Sequence, residues 1–261
     1  MTATQTIDPL DRLSWRYKVI LRGEVGSRVL GVSVDGTDDR DEMGICLEPP
    51  ETVTGLDRFE HFIYRTQPDG VRSGPGDLDL VVYSLRKWMR LALKGNPSVL
   101  MVLFSPDPMV FEDEAREIRL EPERFVSKHA GYAFLNYLLS QRAQLTGERP
   151  KKHTNRPELV ERYGFDTKFA YHAVRLGLQG AEFLTAGRLE LPMAEPIRQR
   201  LLSLRQGGMT LAETLEWATE AEDALRRAID ATTADEPDRA WANHYLHRAY
   251  SSWWQQMPWF V

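Results

Sequence analysis

The chain has 261 residues, of which 42% are hydrophobic and 10% aromatic, with a net charge of −5 and an isoelectric point near 5.8. That is enough apolar material for one large domain or two modest ones, and the acidic balance argues against a generally basic nucleic-acid binder while leaving room for a local basic groove. The single cysteine, Cys46, excludes an internal disulfide and a multi-cysteine zinc site.

Residues 1–6 are small and polar and are expected to be disordered, and the N-terminal stretch MTATQTIDPL lacks the basic start and apolar centre of a signal peptide. No apolar run approaches the roughly 20 residues of a membrane-spanning helix, so a cytoplasmic protein is expected. Asp8-Pro9 reads as the start of a short helix through Trp15, with Asp as N-cap and Pro at the first position. Tyr17–Leu21 reads as a strand that Gly23, Gly26 and Gly31 break up, and Gly44–Leu47 as a second strand ended by Pro49-Pro50. Phe59–Arg65 and Leu78–Tyr83 alternate apolar and polar residues on either side of a Gly-, Pro- and Asp-rich stretch, which predicts a β-hairpin.

Helices follow. Ser84 is placed to cap one that ends near Lys94, where Gly95-Asn96-Pro97 stops it, and Pro97–Leu103 reads as another short one. The segment 107–125, with its run EDEAREIRLEPE, reads as a charged connection. Beyond it, Lys128–Leu145, Thr167–Thr185 with Asp166 as cap and Gly187 as stop, Ile197–Gln206, Thr210–Ala231 and Pro237–Gln256 all read as helices. The organisation expected is α+β: an N-terminal arm over 1–15, an α/β domain over 16–115 and a helical domain over 116–261.

The chemistry concentrates in two stretches. Gly26–Cys46 contains a Gly-Ser turn and two carboxylates, Asp39 and Asp41, at a spacing that points both side chains the same way in a strand. Asp79, on the later strand, offers a third. Mg²⁺ prefers a few carboxylates together with phosphate oxygens and water, and a backbone N–H beside a hydroxyl suits phosphate oxygens. The same residues, Gly36 to Asp41, are also good turn composition, so a polar loop is the competing reading.

Here the sequence resembles a family. GSRVLG and DDRDEMGI are similar to the nucleotidyltransferase signature of the DNA polymerase β superfamily, in which Gly-Ser is followed by Asp-x-Asp. More narrowly, the chain resembles the polymerase-β-like proteins of bacterial RNA-repair operons and their phage relatives. DLVVYSLRKWMRLALKGNP, from Asp79 to Pro97, resembles the third-carboxylate strand and its following helix. ERYGFDTKFAYHAVRLGLQGAEFLTAGRLELP, from Glu161 to Pro192, resembles a helical segment with a K-x-x-x-H-x-x-R pattern. Asp38 departs from the serine expected before the first metal aspartate, and Met43 from the arginine expected after the second; both changes are expected at the rim of the site.

The resemblance implies a polymerase-β-like domain that moves a nucleoside monophosphate from a nucleoside triphosphate to an acceptor hydroxyl and releases pyrophosphate. It implies Mg²⁺ or Mn²⁺ on Asp39, Asp41 and Asp79, with Asp79 also a possible general base. It implies nucleotide binding by Gly26, Ser27, Arg28, Lys168, His172 and Arg175, and it favours an RNA end as acceptor over a protein or small molecule. Lys168, His172 and Arg175 share one helix face at i, i+4 and i+7, a spacing equally suited to a solvated stripe. Asp77 competes with Asp79 for the third position, and Asp79 is preferred for the pattern that follows it. Tyr163 and Tyr171 are base-stacking or core residues, Lys94 and Asn96 phosphate contacts or a helix stop. His61 is read as structural, His129 and His153 show no partner pattern, and His244 with His247 lacks a third ligand. The aromatic C-terminal stretch, Trp241 to Trp259, is expected to pack its helix onto the helical bundle, and the basic connection Arg149–Arg156 reads as a solvated loop in preference to a landing strip for RNA phosphates. A silent nucleotide-binding module, and a protein-modifying transferase of a toxin–antitoxin or phage-defence pair, are the competing functions.

Overall fold

The computed structural model describes residues 8–13, 15–34, 38–148 and 156–257. Residues 1–7 of the N-terminal arm, His153, Trp259, Gly36-Thr37 and most of the connection before Arg156 lie outside these residues. Asp8 caps only a 3-10 turn, Pro9–Arg12, rather than a helix reaching Trp15.

The elements run β1 (Lys18–Val25), α1 (Gly26–Val29), β2 (Arg40–Leu47), α2 (Pro50–Val53), β3 (His61–Arg65), β4 (Leu78–Ser84), α3 (Leu85–Ala92) and α4 (Pro97–Leu100). They continue with β5 (Val110–Phe111), α5 (Asp113–Leu120), α6 (Lys128–Thr146), α7 (Pro157–Tyr163), α8 (Thr167–Ala186), α9 (Ile197–Arg205), α10 (Leu211–Ala231) and α11 (Arg239–Gln255). Among the described residues the strands form one sheet in the order β3-β4-β2-β1-β5. β1 is antiparallel to β2 and β5, β3 and β4 make the expected hairpin, and β2 runs parallel to β4. An N-terminal mixed α/β part is thus followed by a largely helical one.

Two strands are longer than their composition suggests. β1 continues through Gly23, which is needed there because a Cβ would lie 2.6 Å from the Ser105 hydroxyl of a crossing segment. β2 starts at Arg40, so the polar run RDE opens a central strand. Glu42 lies buried in it because two guanidinium groups partner it, Arg22 at 2.7 Å and Arg40 at 2.9 Å. A paired carboxylate can stay in a core where a lone one could not. Asp39 consequently sits just ahead of the strand rather than within it.

The charged segment 107–125 is not a plain connection. It holds β5 at the sheet edge and α5, whose Ala115 and Ile118 are fully buried. The C-terminal aromatics also differ from expectation: α11 returns to the α/β part. Tyr245 donates to the Glu114 carbonyl at 2.7 Å, Trp241 to Glu117 at 3.0 Å, and Trp254 to the Glu48 carbonyl at 2.9 Å. The main core runs without a break from Ile20, Ile45 and Trp88 to Phe134, Phe183, Leu225 and Tyr245. Cys46 is buried and free, its thiol pushed up by burial. Among the described residues, no helix is long and apolar enough to cross a membrane.

Candidate active site

Parallel pairing builds the site. Asp41 on β2 stands in register with Asp79 on β4, so the two carboxylates share a face on adjacent strands, which lie about 4.8 Å apart. Asp39, just before β2, joins them. One oxygen from each of the three lies within 4.8 Å of the others, and all three residues are half-buried. Asp77 does not join: it accepts from Thr66 Oγ1 at 2.8 Å and from the Gly74 amide at 2.9 Å, closing its own loop.

The carboxylates differ electrically. Burial, then the charges of Asp39 and Asp79, push Asp41 up to about 6. Asp79 is held below the usual range by Arg65, whose Nε and Nη2 donate to its two oxygens at 3.0 and 3.1 Å. Ser73 and Gln67 also donate to it, at 2.7 and 2.9 Å. Three hard oxygen donors with uncancelled repulsion at Asp41 form a set that a divalent cation fits.

The Gly-Ser turn lies against this cluster. Gly26 has φ 75°, and a Cβ there would overlap the Asp41 carboxylate. Glycine is therefore required twice, for its backbone and for its missing side chain. Ser27 does not present a free hydroxyl: it donates to Asp38 Oδ2 at 2.9 Å. Asp38 also accepts from the Val34 amide at 2.9 Å and, through both oxygens, from Arg205. Burial alone would raise Asp38, but the Arg205 pair and these hydrogen bonds bring it below its usual value. The aspartate that departs from the expected serine is thus tied to the end of α9. Met43, the other departure, is largely buried and lines the cavity that holds the aspartates.

The basic face of α8 closes the other side. Lys168, His172 and Arg175 line one cavity of about 580 Å³ with Gly26, Ser27 and the three aspartates, so the face is no solvated stripe. The Lys168 ammonium makes no hydrogen bond or ion pair among the described residues; burial, with Arg156 and Arg205 nearby, lowers its proton affinity. His172 is pushed well below its ordinary value by burial and then by Arg175 and Lys168, so it is neutral at neutral pH rather than a third cation. Arg175 is 9% exposed and donates to Gln179 at 3.0 Å. Arg28 is not brought in: it lies outside the cavity lining, half exposed, with Glu24 at 3.7 Å.

The remaining candidates take other places. Asn96 caps α4 through the Ser98 and Val99 amides, and Lys94 is exposed outside the cavity. Tyr171 is packed under the Arg205 guanidinium, where it also lines the carboxylate cavity, while Tyr163 borders a second cavity. His61, His244 and His247 are exposed, and His129 lies 3.9 Å from Glu236. Reasoning from sequence missed Arg65, Gln67, Ser73 and Arg205, which reach the site from the end of β3, the hairpin loop and the end of α9. It also missed Met101, whose sulfur accepts from the Gly26 amide at 3.3 Å.

Comparison with known proteins gives three findings. Residues 3–251 match the model of the family described as RNA repair pathway DNA polymerase beta family. Among solved structures, the chain is similar to a nucleotidyltransferase-like protein from Exiguobacterium sibiricum 255-15, at 11% identity over 98% of this chain and 81% of that one, with a TM-score of 0.31. That likeness is too slight to carry an argument. No curated protein matches the sequence.

Proposed function

The chain belongs to the RNA repair pathway DNA polymerase beta family, and on that premise we propose that it transfers a nucleoside monophosphate from a nucleoside triphosphate to an acceptor hydroxyl, releasing pyrophosphate. The acceptor favoured is an RNA end, in keeping with the family's description. The observation that carries this reading is the three-carboxylate cluster facing Lys168 and Arg175 across one cavity.

Asp39, Asp41 and Asp79 hold Mg²⁺ or Mn²⁺ in this reading. Bound there, the ion supplies positive charge to the triphosphate and makes the acceptor hydroxyl more acidic. Lys168 and Arg175 neutralise the triphosphate from α8, with neutral His172 between them as a hydrogen-bonding group. The backbone of Gly26 approaches a phosphate oxygen once its amide turns from the Met101 sulfur, and Ser27 reaches the same phosphate once its hydroxyl turns from Asp38. The acceptor oxygen bonds to the α-phosphorus, the bond from that phosphorus to the bridging oxygen breaks, and pyrophosphate leaves. Asp79 can take the acceptor's proton only after Arg65 releases it, because that pair lowers its proton affinity.

The Arg65 clamp also favours a second reading, a module that binds the triphosphate without transferring it. One experiment separates the two. The protein is incubated with each α-³²P-labelled nucleoside triphosphate, Mg²⁺ or Mn²⁺ and a pool of small RNAs, beside the Asp39→Ala/Asp41→Ala variant. Label on RNA that the variant cannot place supports transfer. Metal-dependent triphosphate binding without label supports the silent module, label on a protein moves the acceptor to protein, and neither binding nor label sinks both readings.

A further inference from the structure

A second cavity, of about 600 Å³, adjoins the first: Lys168 and Arg205 line both. Besides these two it is walled by Arg72 from the hairpin loop, Arg156 just before α7 and Arg162 within it, with Tyr163 alongside. Three of the five cations have carboxylate partners. Arg205 is bound to Asp38 with both side chains 7% exposed, and Arg156 to Asp166 at 3.0 Å. Arg72 meets Glu158 at 2.8 Å, but both side chains are more than half exposed, and such solvent-screened pairs contribute little. Arg162 has no carboxylate partner among the described residues and lies 5.0 Å from the ring of Tyr163. Positive charge therefore remains in excess at Arg162 and Lys168, and Arg72 can exchange its partner at little cost.

The arrangement is graded. Arg72 and Arg162 are exposed, Arg156 and Arg205 lie deeper, and Lys168 stands where this cavity meets the one that holds the carboxylates. A nucleoside triphosphate needs only the inner cavity. An acceptor strand needs more, because its end must reach the aspartates while the phosphates behind it stay near solvent. Cations tolerate such a strand without reading its sequence, and an aromatic ring offers a face for one base.

We propose that this second cavity is the acceptor site, in which Arg72 and Arg162 hold backbone phosphates of a single-stranded RNA and Tyr163 borders its terminal bases. The proposal rests on the transferase reading above and supplies its acceptor-binding residues. What carries it is the wall shared by the two cavities and the excess of cations in the outer one.

The test uses the full chain and a fluorescein-labelled single-stranded RNA of about ten nucleotides, the length one binding groove covers. Its binding is followed by anisotropy across a salt series, and ATP binding with Mn²⁺ is measured alongside by calorimetry. For two lost phosphate contacts, the Arg72→Glu/Arg162→Glu variant should bind the RNA on the order of ten-fold more weakly at physiological salt, with a salt slope smaller by about 1.4. Its ATP affinity should stay within about two-fold of wild type. Should the double variant fail to fold by circular dichroism, Arg162→Ala alone should lower the slope by about 0.7.

Equal RNA binding by wild type and variant would overturn the acceptor site while leaving the transferase reading standing. So would a variant that loses ATP as well as RNA, since the cavity would then belong to the nucleotide. No RNA binding by wild type would also overturn it. A wild-type protein that binds RNA through these arginines but binds no ATP would support the strand site and sink the transferase reading instead.

Discussion

The two ends of β2 each carry a carboxylate withdrawn from water, and the two have opposite surroundings. Asp41, near the first residue, faces Asp39 and Asp79 across a cavity, and burial and like charges push it up to about 6. Glu48, one residue past the last, is fully buried. Burial raises it too, but the Tyr250 hydroxyl donates to it, and that hydroxyl in turn accepts from the Arg86 amide at 3.1 Å. One carboxylate is left with repulsion and open space, the other with donors and aromatic walls. The first arrangement can take a cation; the second fastens α11 to the sheet. Burial alone does not distinguish a site from a structural tie; the charges and donors around the buried group do.

Mutations at the two ends should separate activity from stability. The largest effect expected is from Asp39→Ala/Asp41→Ala, which should lower transfer by on the order of 10³-fold or more, since several kcal/mol of charge stabilisation is lost. The fold should persist, as judged by circular dichroism. Next comes Gly26→Ala. Its Cβ would displace the Asp41 carboxylate, and Mn²⁺ affinity should fall about 10–100-fold, the range seen when the support of a metal ligand is disturbed. Titration with Mn²⁺ followed by electron paramagnetic resonance measures it. At the other end, Tyr250→Phe takes the buried hydroxyl donor from Glu48 and should cost about 1–3 kcal/mol in urea unfolding, with turnover per folded molecule unchanged. A Tyr250→Phe protein that folds normally and loses transfer as completely as the aspartate variant would break the contrast.

What the sequence disclosed about these regions follows the range of the interactions involved. The caps at Ser84 and Asp166 and the stop at Gly187 act over a few residues, and each stands where its local pattern places it. Asp41 and Asp79 come together because two strands carry them in matching register, with Asp39 just ahead of the first strand, and motif order made the set legible. Arg205 was not legible: its partner Asp38 is 167 residues away, and nothing near either residue records the pairing. Arg65 looked like the end of a strand, and only the hairpin register sets it opposite Asp79. The spacing of Lys168, His172 and Arg175 revealed a shared face, but not what that face meets. β5 has two residues, too few for any periodicity, and α5 buries only Ala115 and Ile118 among charged neighbours.

The smallest effect expected is also the most direct test of why Asp41 differs from Glu48. Asp41 ionises near 6 in the folded chain and at its ordinary value of 3.8 when unfolded. The folded state therefore binds this proton more tightly, and stability is lost as pH rises from about 4 through 6. A proton held about a hundred-fold more tightly sets an upper limit of about 3 kcal/mol, and solvent in the half-open site reduces this to about 1–2 kcal/mol. In the metal-free protein, Asp41→Asn should thus raise the thermal midpoint at pH 7 by a few degrees, at about 2–4 °C per kcal/mol, and by almost nothing below pH 4. Mn²⁺ should reverse the order above pH 6, because it replaces the proton and cancels the repulsion in the wild type while the amide binds it poorly. Asp79 should not share this behaviour: Arg65 holds its proton affinity down, so its contribution is present at neutral pH and is lost only as pH falls below the usual carboxylate range. Midpoints of wild type and Asp41→Asn that run parallel from pH 4 to 8, with and without Mn²⁺, would mean that Asp41 feels no crowding and that the open end of β2 is as settled as the closed one.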